Sequence, residues 1–199
     1  MALGYLDLPY QSHVVRYDDE KTPTDLCGKK MLPIMRHPGG VMNESLDIIT
    51  LLDTENSLKT KDFIHSEDFK KLEELLNRVG EPIHSLAMPY WIWTPEFDSS
   101  SRRYFQKKKE AKRGPFRELL RNQNIFLNQL EPLLREIDEN IKPFYKSTEF
   151  GLADILLASH LWGLYVVPEF QFSPKTHSWL QSVKEICRFN YHQDFLELI

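Results

Sequence analysis

The chain has 199 residues, of which 41% are hydrophobic and 12% aromatic, enough for the core of one large domain or two small ones. Its net charge of −4 and isoelectric point near 6.0 give no electrostatic case for nucleic-acid binding. No apolar stretch approaches the roughly 20 residues that span a bilayer, and the first residues lack the pattern of a secretory signal. Two distant cysteines are no disulfide framework, so we expect a cytoplasmic protein.

Short runs typical of strands alternate with turns in the first 55 residues. Strands are predicted at residues 12–17, 32–36 and 41–42. Pro23 and Asp25 favour the start of a short helix between the first two strands. His37–Gly40 predicts a hairpin turn. A second helix is predicted to open at Glu44 and Ser45 and to bury an apolar face.

The pattern becomes helical after a polar, aperiodic stretch at residues 54–65. Ser66 is a candidate N-cap for a helix whose apolar face contains Phe69, Leu72, Leu75, Leu76 and Val79. A separate helix is predicted to carry the aromatic run at residues 90–93, and another to start at Pro115. Pro132 should kink or break that last helix. Residues 152–167 are apolar nearly all round and predict a buried central helix, followed by final helices that include Trp179, Phe195 and Leu196.

Strands interleaved with helices and then helices alone indicate two domains. We therefore predict an α+β, mostly α fold. A small N-terminal domain covers residues 1–55, a linker residues 56–65, and an all-helical domain residues 66–199.

Three segments resemble the glutaredoxin 2 family, bacterial glutaredoxins built on the glutathione transferase architecture. They are Asp18-Asp19-Glu20-Lys21-Thr22-Pro23-Thr24, Gly28-Lys29-Lys30-Met31-Leu32-Pro33-Ile34 and Met42-Asn43-Glu44-Ser45-Leu46-Asp47-Ile48. The similarity continues into the helical part at residues 103–111. The resemblance implies a thioredoxin-like N-terminal domain and glutathione-dependent thiol–disulfide exchange in the cytoplasm.

The resemblance also implies a strand and a Cys-Pro-Tyr-Cys motif that do not occur in this sequence. The catalytic motif would be expected upstream of Met1, so we expect no catalytic residue in this chain and no glutaredoxin activity from it as given. The absent strand would lie between those predicted at residues 12–17 and 32–36. Both would then have unpaired edges, and we expect a loosened N-terminal region or a strand supplied by another chain.

Leu32 and Pro33 are the first candidate ligand residues. A cis proline ahead of a strand would turn the backbone of Leu32 outward, where it can pair with the extended cysteinyl part of glutathione. From Leu-Pro-Ile alone, an ordinary trans proline at a strand edge is the commoner case. The Glu44-Ser45 pair at the expected distance reverses that balance.

Glu44 and Ser45 are the second pair of candidates. The N-terminus of a helix offers free N–H groups and a positive dipole to the γ-glutamyl carboxylate of glutathione. The Ser45 hydroxyl can add a hydrogen bond, and Glu44 can pair with the ammonium group. The simpler alternative is an ordinary helix cap.

The other chemically suggestive residues favour structural roles. Cys27 follows a short helix at the wrong end to favour a thiolate, and Cys187 lies on an apolar face. The histidines show no metal-ligand spacing, and His160 is expected in the core. Asp154 resembles the capping aspartate of this architecture, although Gly151 stands where Ser or Thr is usual.

An aromatic cluster and a run of basic residues each allow both a functional and a structural interpretation. Tyr90, Trp91, Trp93 and Phe97 could wall a cleft between the domains, but core packing is the commoner role of such clusters. Arg102-Arg103 and Lys107-Lys109 could steer glutathione or a protein substrate electrostatically, but a solvated helix face is the simpler interpretation.

Three functions therefore compete. The first is a glutaredoxin 2-like oxidoreductase with glutathione as cosubstrate, no metal, and glutathionylated or disulfide-containing proteins as partners. The second is a non-catalytic glutathione-binding or interaction module. The third is a transferase that uses Tyr5 or Ser12 to activate the thiol. We expect a monomer, with a strand-exchanged dimer as the alternative, and neither nucleic acid nor membrane as a partner.

Overall fold

A computed structural model describes residues 1–190. Within that range the fold is a small N-terminal α/β part followed by a helical domain. The N-terminal elements are α1 (Ala2–Tyr5), α2 (Lys21–Cys27), β1 (Met35–His37), β2 (Gly40–Met42), α3 (Ser45–Leu52) and α4 (Thr60–Phe63). The helical domain contains α5 (Glu67–Trp91), α6 (Ser99–Arg113), α7 (Phe116–Arg121), α8 (Gln123–Asn140), α9 (Leu152–Leu161), a 3-10 helix (Trp162–Val166) and α10 (Pro174–Ile186).

The predicted short helix and hairpin are both present. The Asp19 carboxylate accepts the Thr22 N–H at 2.9 Å at the start of α2, and Gly28 ends the helix in the left-handed conformation, with φ of 77°. The antiparallel strands β1 and β2 pair Met35 with Met42. They form the only sheet among residues 1–190.

The strand predicted at residues 12–17 is wrong. Residues 12–16 have no regular secondary structure, and Val14 is 85% exposed. A strand needs a hydrogen-bonded neighbour, and β1 pairs only with β2 among the described residues. The strand predicted at residues 32–36 is correspondingly reduced to Met35–His37. The sheet of residues 1–190 is thus limited to β1 and β2, and the loosened N-terminal region stays a prediction.

The helical domain begins as predicted. The Ser66 hydroxyl accepts the Phe69 N–H at 3.1 Å and caps α5. The predicted apolar face is buried, and α5 packs against α7, α8 and α9. Phe195 and Leu196 lie outside the described residues.

Two predictions for the helical domain, a separate helix for the aromatic run and a break at Pro132, are wrong. Helix α5 runs through Pro82 and Pro89, so the aromatic run at residues 90–93 belongs to its end and not to a separate helix. Helix α8 likewise continues through Pro132. An interior proline costs about 3 kcal/mol, and we attribute the continuity to the burial of long apolar faces where α5 and α8 pack together.

Asp154 anchors the central helix α9. Its carboxylate accepts the Tyr145 N–H and the Trp179 Nε1–H, each at 2.8 Å, and the Gly151 N–H at 3.0 Å. Because Gly151 has no side chain, the reciprocal bond of a full capping box is absent. The segment predicted as one helix at residues 152–167 forms the α-helix α9, which ends at Leu161, and then the 3-10 helix at Trp162–Val166.

The segment predicted as a linker contains ordered structure. The buried Asp53 carboxylate accepts the Leu58 N–H at 3.2 Å and the Thr60 hydroxyl at 2.8 Å. Leu58 and Thr60 are themselves buried. This turn packs α4 beside α3. The domain boundaries at residues 55 and 66 stay a prediction.

Candidate functional site

Leu32 and Pro33 lie in the segment that connects α2 to β1. The Leu32–Pro33 peptide bond is cis, as predicted. Residue Leu32 is 53% exposed. Neither the N–H nor the C=O of Leu32 is hydrogen-bonded to another residue in the range 1–190. The segment therefore has one backbone donor and one backbone acceptor at Leu32 without a hydrogen bond to another described residue.

Glu44 and Ser45 lie at the start of α3, directly after the hairpin. Glu44 is the N-cap residue, with φ of −102° and ψ of 123°, and Ser45 is the first helical residue. The first intrahelical bond joins the Ile48 N–H to the Glu44 C=O at 2.9 Å. The N–H groups of the helical residues that precede Ile48 make no intrahelical hydrogen bond, so they can donate hydrogen bonds to an anionic ligand.

A lysine that the sequence interpretation missed pairs with this site. The Lys29 ammonium is 3.0 Å from Glu44 Oε1, and both side chains are about half exposed. The ion pair joins the α2–β1 segment to the start of α3, so the two candidate pairs belong to adjacent parts of one surface. No sequence spacing signals this contact, because the hairpin brings together residues that lie 15 positions apart.

A second lysine joins the same segment to the helical domain. The Lys30 ammonium donates to the Tyr17 C=O at 2.7 Å, lies 3.5 Å from Glu20, and lies 4.0 Å from the centre of the Tyr104 ring on α6. The Tyr104 hydroxyl also donates to the Glu20 carboxylate. Helix α6 therefore supports the chain two residues before Leu32.

Asp18 strengthens this contact between the two parts of the molecule. Its carboxylate accepts the hydroxyls of Ser100 and Ser101 at the start of α6, the latter at 2.8 Å. Those hydroxyls, together with Arg16, hold the pKa of Asp18 well below its usual range. Asp98 caps the same helix by accepting the Ser101 N–H at 2.8 Å.

The aromatic run does not form one wall. Trp91 donates its Nε1–H to the Gly163 C=O at 3.1 Å and packs against the core. Phe97 packs on Phe105 with 5.2 Å between ring centres. Trp93 is 67% exposed and lies 4.3 Å from the Arg102 guanidinium. Core packing thus accounts for Trp91 and Phe97, as the simpler interpretation predicts.

Neither cysteine is placed for nucleophilic chemistry. Cys27 Sγ lies at the end of α2, 3.2 Å from the Pro23 C=O and 3.4 Å from the Lys29 C=O. These carbonyls accept a bond from a thiol and offer none to a thiolate. Cys187 is buried, and burial raises the pKa of its thiol to about 11.

The transferase alternative gains no support from its proposed activators. Tyr5 packs against Phe150, with 4.9 Å between ring centres. Ser12 is exposed on the segment without regular structure. His160 is only partly buried, with Nδ1 2.9 Å from the Leu156 C=O. Residues 1–190 contain no cluster of His, Cys, Asp and Glu suited to a metal ion.

Comparison with known proteins identifies the family. A family model described as "Glutaredoxin 2, C terminal domain" matches residues 71–194, well over half of the chain. The chain belongs to the glutaredoxin 2 family. A second model, "Glutathione S-transferase, N-terminal domain", matches residues 1–60. These matches agree with the family and the two-part fold that the sequence predicted.

Individual relatives support the same assignment. Glutaredoxin 2 of Escherichia coli K12 is 28% identical over 195 residues, which cover 96% of this chain and 89% of the relative. The crystal structure of glutaredoxin 2 from Salmonella typhimurium in complex with glutathione is 26% identical. It has a TM-score of 0.83 and covers 98% of this chain and 90% of its own. Glutathione transferase Omega 3C from Trametes versicolor, at 17% identity and a TM-score of 0.58, shares the fold.

The glutaredoxin 2 family fold thus comprises a thioredoxin-like N-terminal part and a helical C-terminal part in this chain. None of the helices in residues 1–190 combines the length and apolar character that crossing a bilayer requires.

Proposed function

We propose that this chain binds glutathione through Leu32, Pro33, Glu44 and Ser45. The observation that carries the proposal is the exposed residue Leu32, whose N–H and C=O have no hydrogen bond within residues 1–190, near the N-terminus of α3. Lys29 joins the two through Glu44. The glutaredoxin 2 of S. typhimurium was solved in complex with glutathione, which supports the same ligand here.

Two of the three residues of glutathione, the cysteinyl and the γ-glutamyl residue, have matching groups. The cysteinyl residue pairs with the N–H and C=O of Leu32 as a short added strand, and Pro33 fixes the direction of that backbone. The γ-glutamyl carboxylate accepts from the first N–H groups of α3 and from the Ser45 hydroxyl. The γ-glutamyl ammonium pairs with Glu44, which then shares its carboxylate with Lys29.

The reaction proposed for the family is glutathione-dependent thiol–disulfide exchange. A cysteine thiolate attacks a mixed disulfide between glutathione and a protein, and the protein leaves as a thiol once it gains a proton. A second glutathione thiolate then attacks the enzyme-bound mixed disulfide, releasing glutathione disulfide and restoring the cysteine. The step requires a stabilised thiolate.

The cysteines of this sequence do not meet that requirement. Cys27 lies among carbonyl oxygens, and the pKa of Cys187 is raised to about 11 by burial. We therefore propose that the 199-residue chain retains the glutathione site but does not by itself catalyse exchange. This favours the second candidate function, a non-catalytic glutathione-binding module of glutaredoxin 2 type.

Titration calorimetry with reduced glutathione tests the binding site. Ser45→Ala should weaken binding about three- to tenfold, since it removes one hydrogen bond worth about 1 kcal/mol. Ser99→Ala is the matched control, because Ser99 is also an exposed serine at the first position of a helix. Equal affinities for both variants and the unmodified chain would refute the role of Ser45.

Glu44→Gln tests the ammonium contact. It should weaken glutathione binding, and the loss should shrink as salt screens the lost ion pair. Glu149→Gln is its control, because Glu149 is an exposed glutamate paired with Lys59 at 2.7 Å. A ligand that lacks the amino group, such as the desamino analogue of glutathione, should bind the Glu44→Gln variant and the unmodified chain equally.

A disulfide reductase assay separates the two functions. The chain should be retained on glutathione resin yet fail to reduce the mixed disulfide of glutathione and hydroxyethanethiol above the uncatalysed rate. Turnover that survives Cys27→Ser and Cys187→Ser together would refute any thiol mechanism. Turnover that Cys27→Ser alone abolishes would show that the chain is an oxidoreductase and that Cys27 is its nucleophile.

The proposed partners and location follow from this function. Glutathione and proteins carrying a glutathione mixed disulfide are the proposed ligands, and no metal is required. We propose a cytoplasmic monomer, for which light scattering at micromolar concentration should return the mass of one 23.6 kDa chain.

A further inference from the structure

His84 lies in the second half of α5, where side chains of α6 and α9 approach this helix. The residue is partly buried, and its ring centre lies 5.9 Å from that of Trp91. Neither ring nitrogen has a hydrogen bond to another residue in the range 1–190. Both nitrogens are therefore available to a ligand or to water.

Three basic side chains approach His84 from α6 and α9. Lys109 and Arg113 lie about one turn apart on α6, and Arg113 Nη1 is 3.3 Å from the hydroxyl of Ser85, the residue that follows His84. His160 lies near the end of α9. All three are partly buried, and the Arg113 side chain is only 18% exposed. We call His84, Lys109, Arg113 and His160 the basic cluster.

The positive charge of the basic cluster acts on His84. Burial lowers the pKa of His84 most, and Arg113, Lys109 and His160 lower it further, to about 4. Glu81 opposes them, but its effect is the smallest of these. Three basic groups thus act on the imidazole against one acid.

Acidic side chains neutralise the basic cluster only in part. Glu81 pairs with Arg113, whereas Lys109 has no ion pair with any residue in the range 1–190. Glu110, next to Lys109 in sequence, accepts the Phe116 N–H at 2.8 Å. Like charges that are partly withdrawn from water raise the free energy of the folded chain, and an anion bound among them lowers it. The arrangement therefore favours a bound anion.

We propose that the basic cluster binds the phosphate group of a small molecule, as a site separate from the proposed glutathione site. A phosphate group carries about two negative charges near neutral pH and several acceptor oxygens. It can accept hydrogen bonds from the Arg113 guanidinium and the Lys109 ammonium, with His84 as a third donor once it is protonated. The cluster lies partly buried among three helices, which suits a single anionic group and not the backbone of a polymer.

Anion binding and protonation of His84 are linked at such a site. A bound anion favours the protonated imidazole, so the protonated form binds the anion more tightly by the same factor. Inorganic sulfate is the probe, because its own charge is constant above about pH 4 and the linkage then reports the protein alone. Sulfate should bind about threefold more tightly at about pH 4.5 than at about pH 7.5.

NMR titration of the imidazole protons tests the linkage. Sulfate at about 20 mM, compared with chloride at equal ionic strength, should raise the pKa of His84 by about one pH unit. The pKa of His65, which is exposed, should be the same in both salts. The His84→Gln variant identifies the resonance. An equal pKa of His84 in sulfate and chloride would overturn the proposal.

Two variants of α6 locate the sulfate site. Lys109→Gln and the control Lys107→Gln each remove one positive charge and keep a good helix former, but Lys107 is fully exposed. In titration calorimetry Lys109→Gln should weaken sulfate binding about tenfold, and Lys107→Gln less than about twofold. Equal weakening by both would show that net charge attracts the anion and would overturn the site. Lys109→Gln should unfold in urea no earlier than the unmodified chain, because it removes repulsion.

Competition experiments identify the class of ligand. Inorganic phosphate should displace sulfate, and reduced glutathione should not. Displacement by glutathione would make the basic cluster a carboxylate site, and displacement by single-stranded RNA would make it a nucleic-acid site; either result overturns the proposal. Ser45→Ala should leave sulfate binding unchanged. A chain that binds sulfate but not glutathione refutes the proposed function alone, and a chain that binds glutathione without the sulfate effect refutes this inference alone.

Discussion

Replacing Asp154 with alanine is expected to destabilise the helical domain by about 4 kcal/mol. The carboxylate accepts three N–H groups, and the Tyr145 and Trp179 donors are in buried residues. A buried donor left without a partner costs about 1–3 kcal/mol. Two such donors, with a smaller loss at the half-buried Gly151, give the total. That is a large share of the 5–15 kcal/mol typical of a folded domain.

Urea denaturation followed by tryptophan fluorescence measures this loss. Asp154→Asn should lie between the alanine variant and the unmodified chain. Its amide oxygen can still accept the hydrogen bonds from the Tyr145 N–H and the Trp179 Nε1–H. Its NH2 group faces the Gly151 N–H, so that third hydrogen bond is lost. Burial raises the pKa of Asp154, so the uncharged amide also avoids part of the cost of burying a charge.

An exposed aspartate provides the control for the Asp154 variants. Asp62 makes one hydrogen bond of 3.3 Å, to the Asn56 side chain, and Asp62→Ala should change the free energy of unfolding by less than about 0.5 kcal/mol. A loss below about 1 kcal/mol for Asp154→Ala would refute the argument that this network holds the start of α9.

Three further predictions concern single residues. Burial, with Arg113 and Lys109, lowers the pKa of His84 to about 4 in the folded chain. As the pH drops from about 6.5 to 4, His84 is protonated in the unfolded chain before the folded one, so the free energy of unfolding should fall by about 2 kcal/mol. The His84→Gln variant should lose this pH dependence, and the variant of the exposed His65, His65→Gln, should keep it. In the native chain a thiol reagent should label Cys27 well before the buried Cys187. Mass spectrometry of the labelled peptides measures this order, and labelling of Cys187 first would refute the described packing. Ser66→Ala should cost about 1 kcal/mol in urea denaturation by removing the cap of α5, and no loss would refute that role.

Local sequence signals predicted the elements that depend on local chemistry. Ser66 caps α5 because its hydroxyl reaches an N–H three residues ahead, which requires nothing from the rest of the chain. The Pro-Gly-Gly turn likewise gave the hairpin, and Glu44-Ser45 the start of α3. These contacts span only a few residues, so spacing alone is enough to predict them.

Signals that depend on distant neighbours misled the sequence interpretation. The alternating run at residues 12–17 favours a strand, but no described strand lies beside it to complete the hydrogen bonds. Pro132 suggested a break in its helix, yet the apolar faces of α5 and α8 keep both helices continuous. In each case tertiary packing, or its absence, outweighed the local preference.

The candidate site shows the same division between local and distant signals. Leu32, Pro33, Glu44 and Ser45 could be selected from sequence because two short motifs carry them. Lys29 and Lys30 could not, since their partners Glu44 and Tyr104 lie 15 and 74 positions away. Yet these lysines connect the α2–β1 segment to α3 and to α6. The sheet of residues 1–190 has two strands, and these side-chain contacts are what joins the segment that carries Leu32 to α3 and α6.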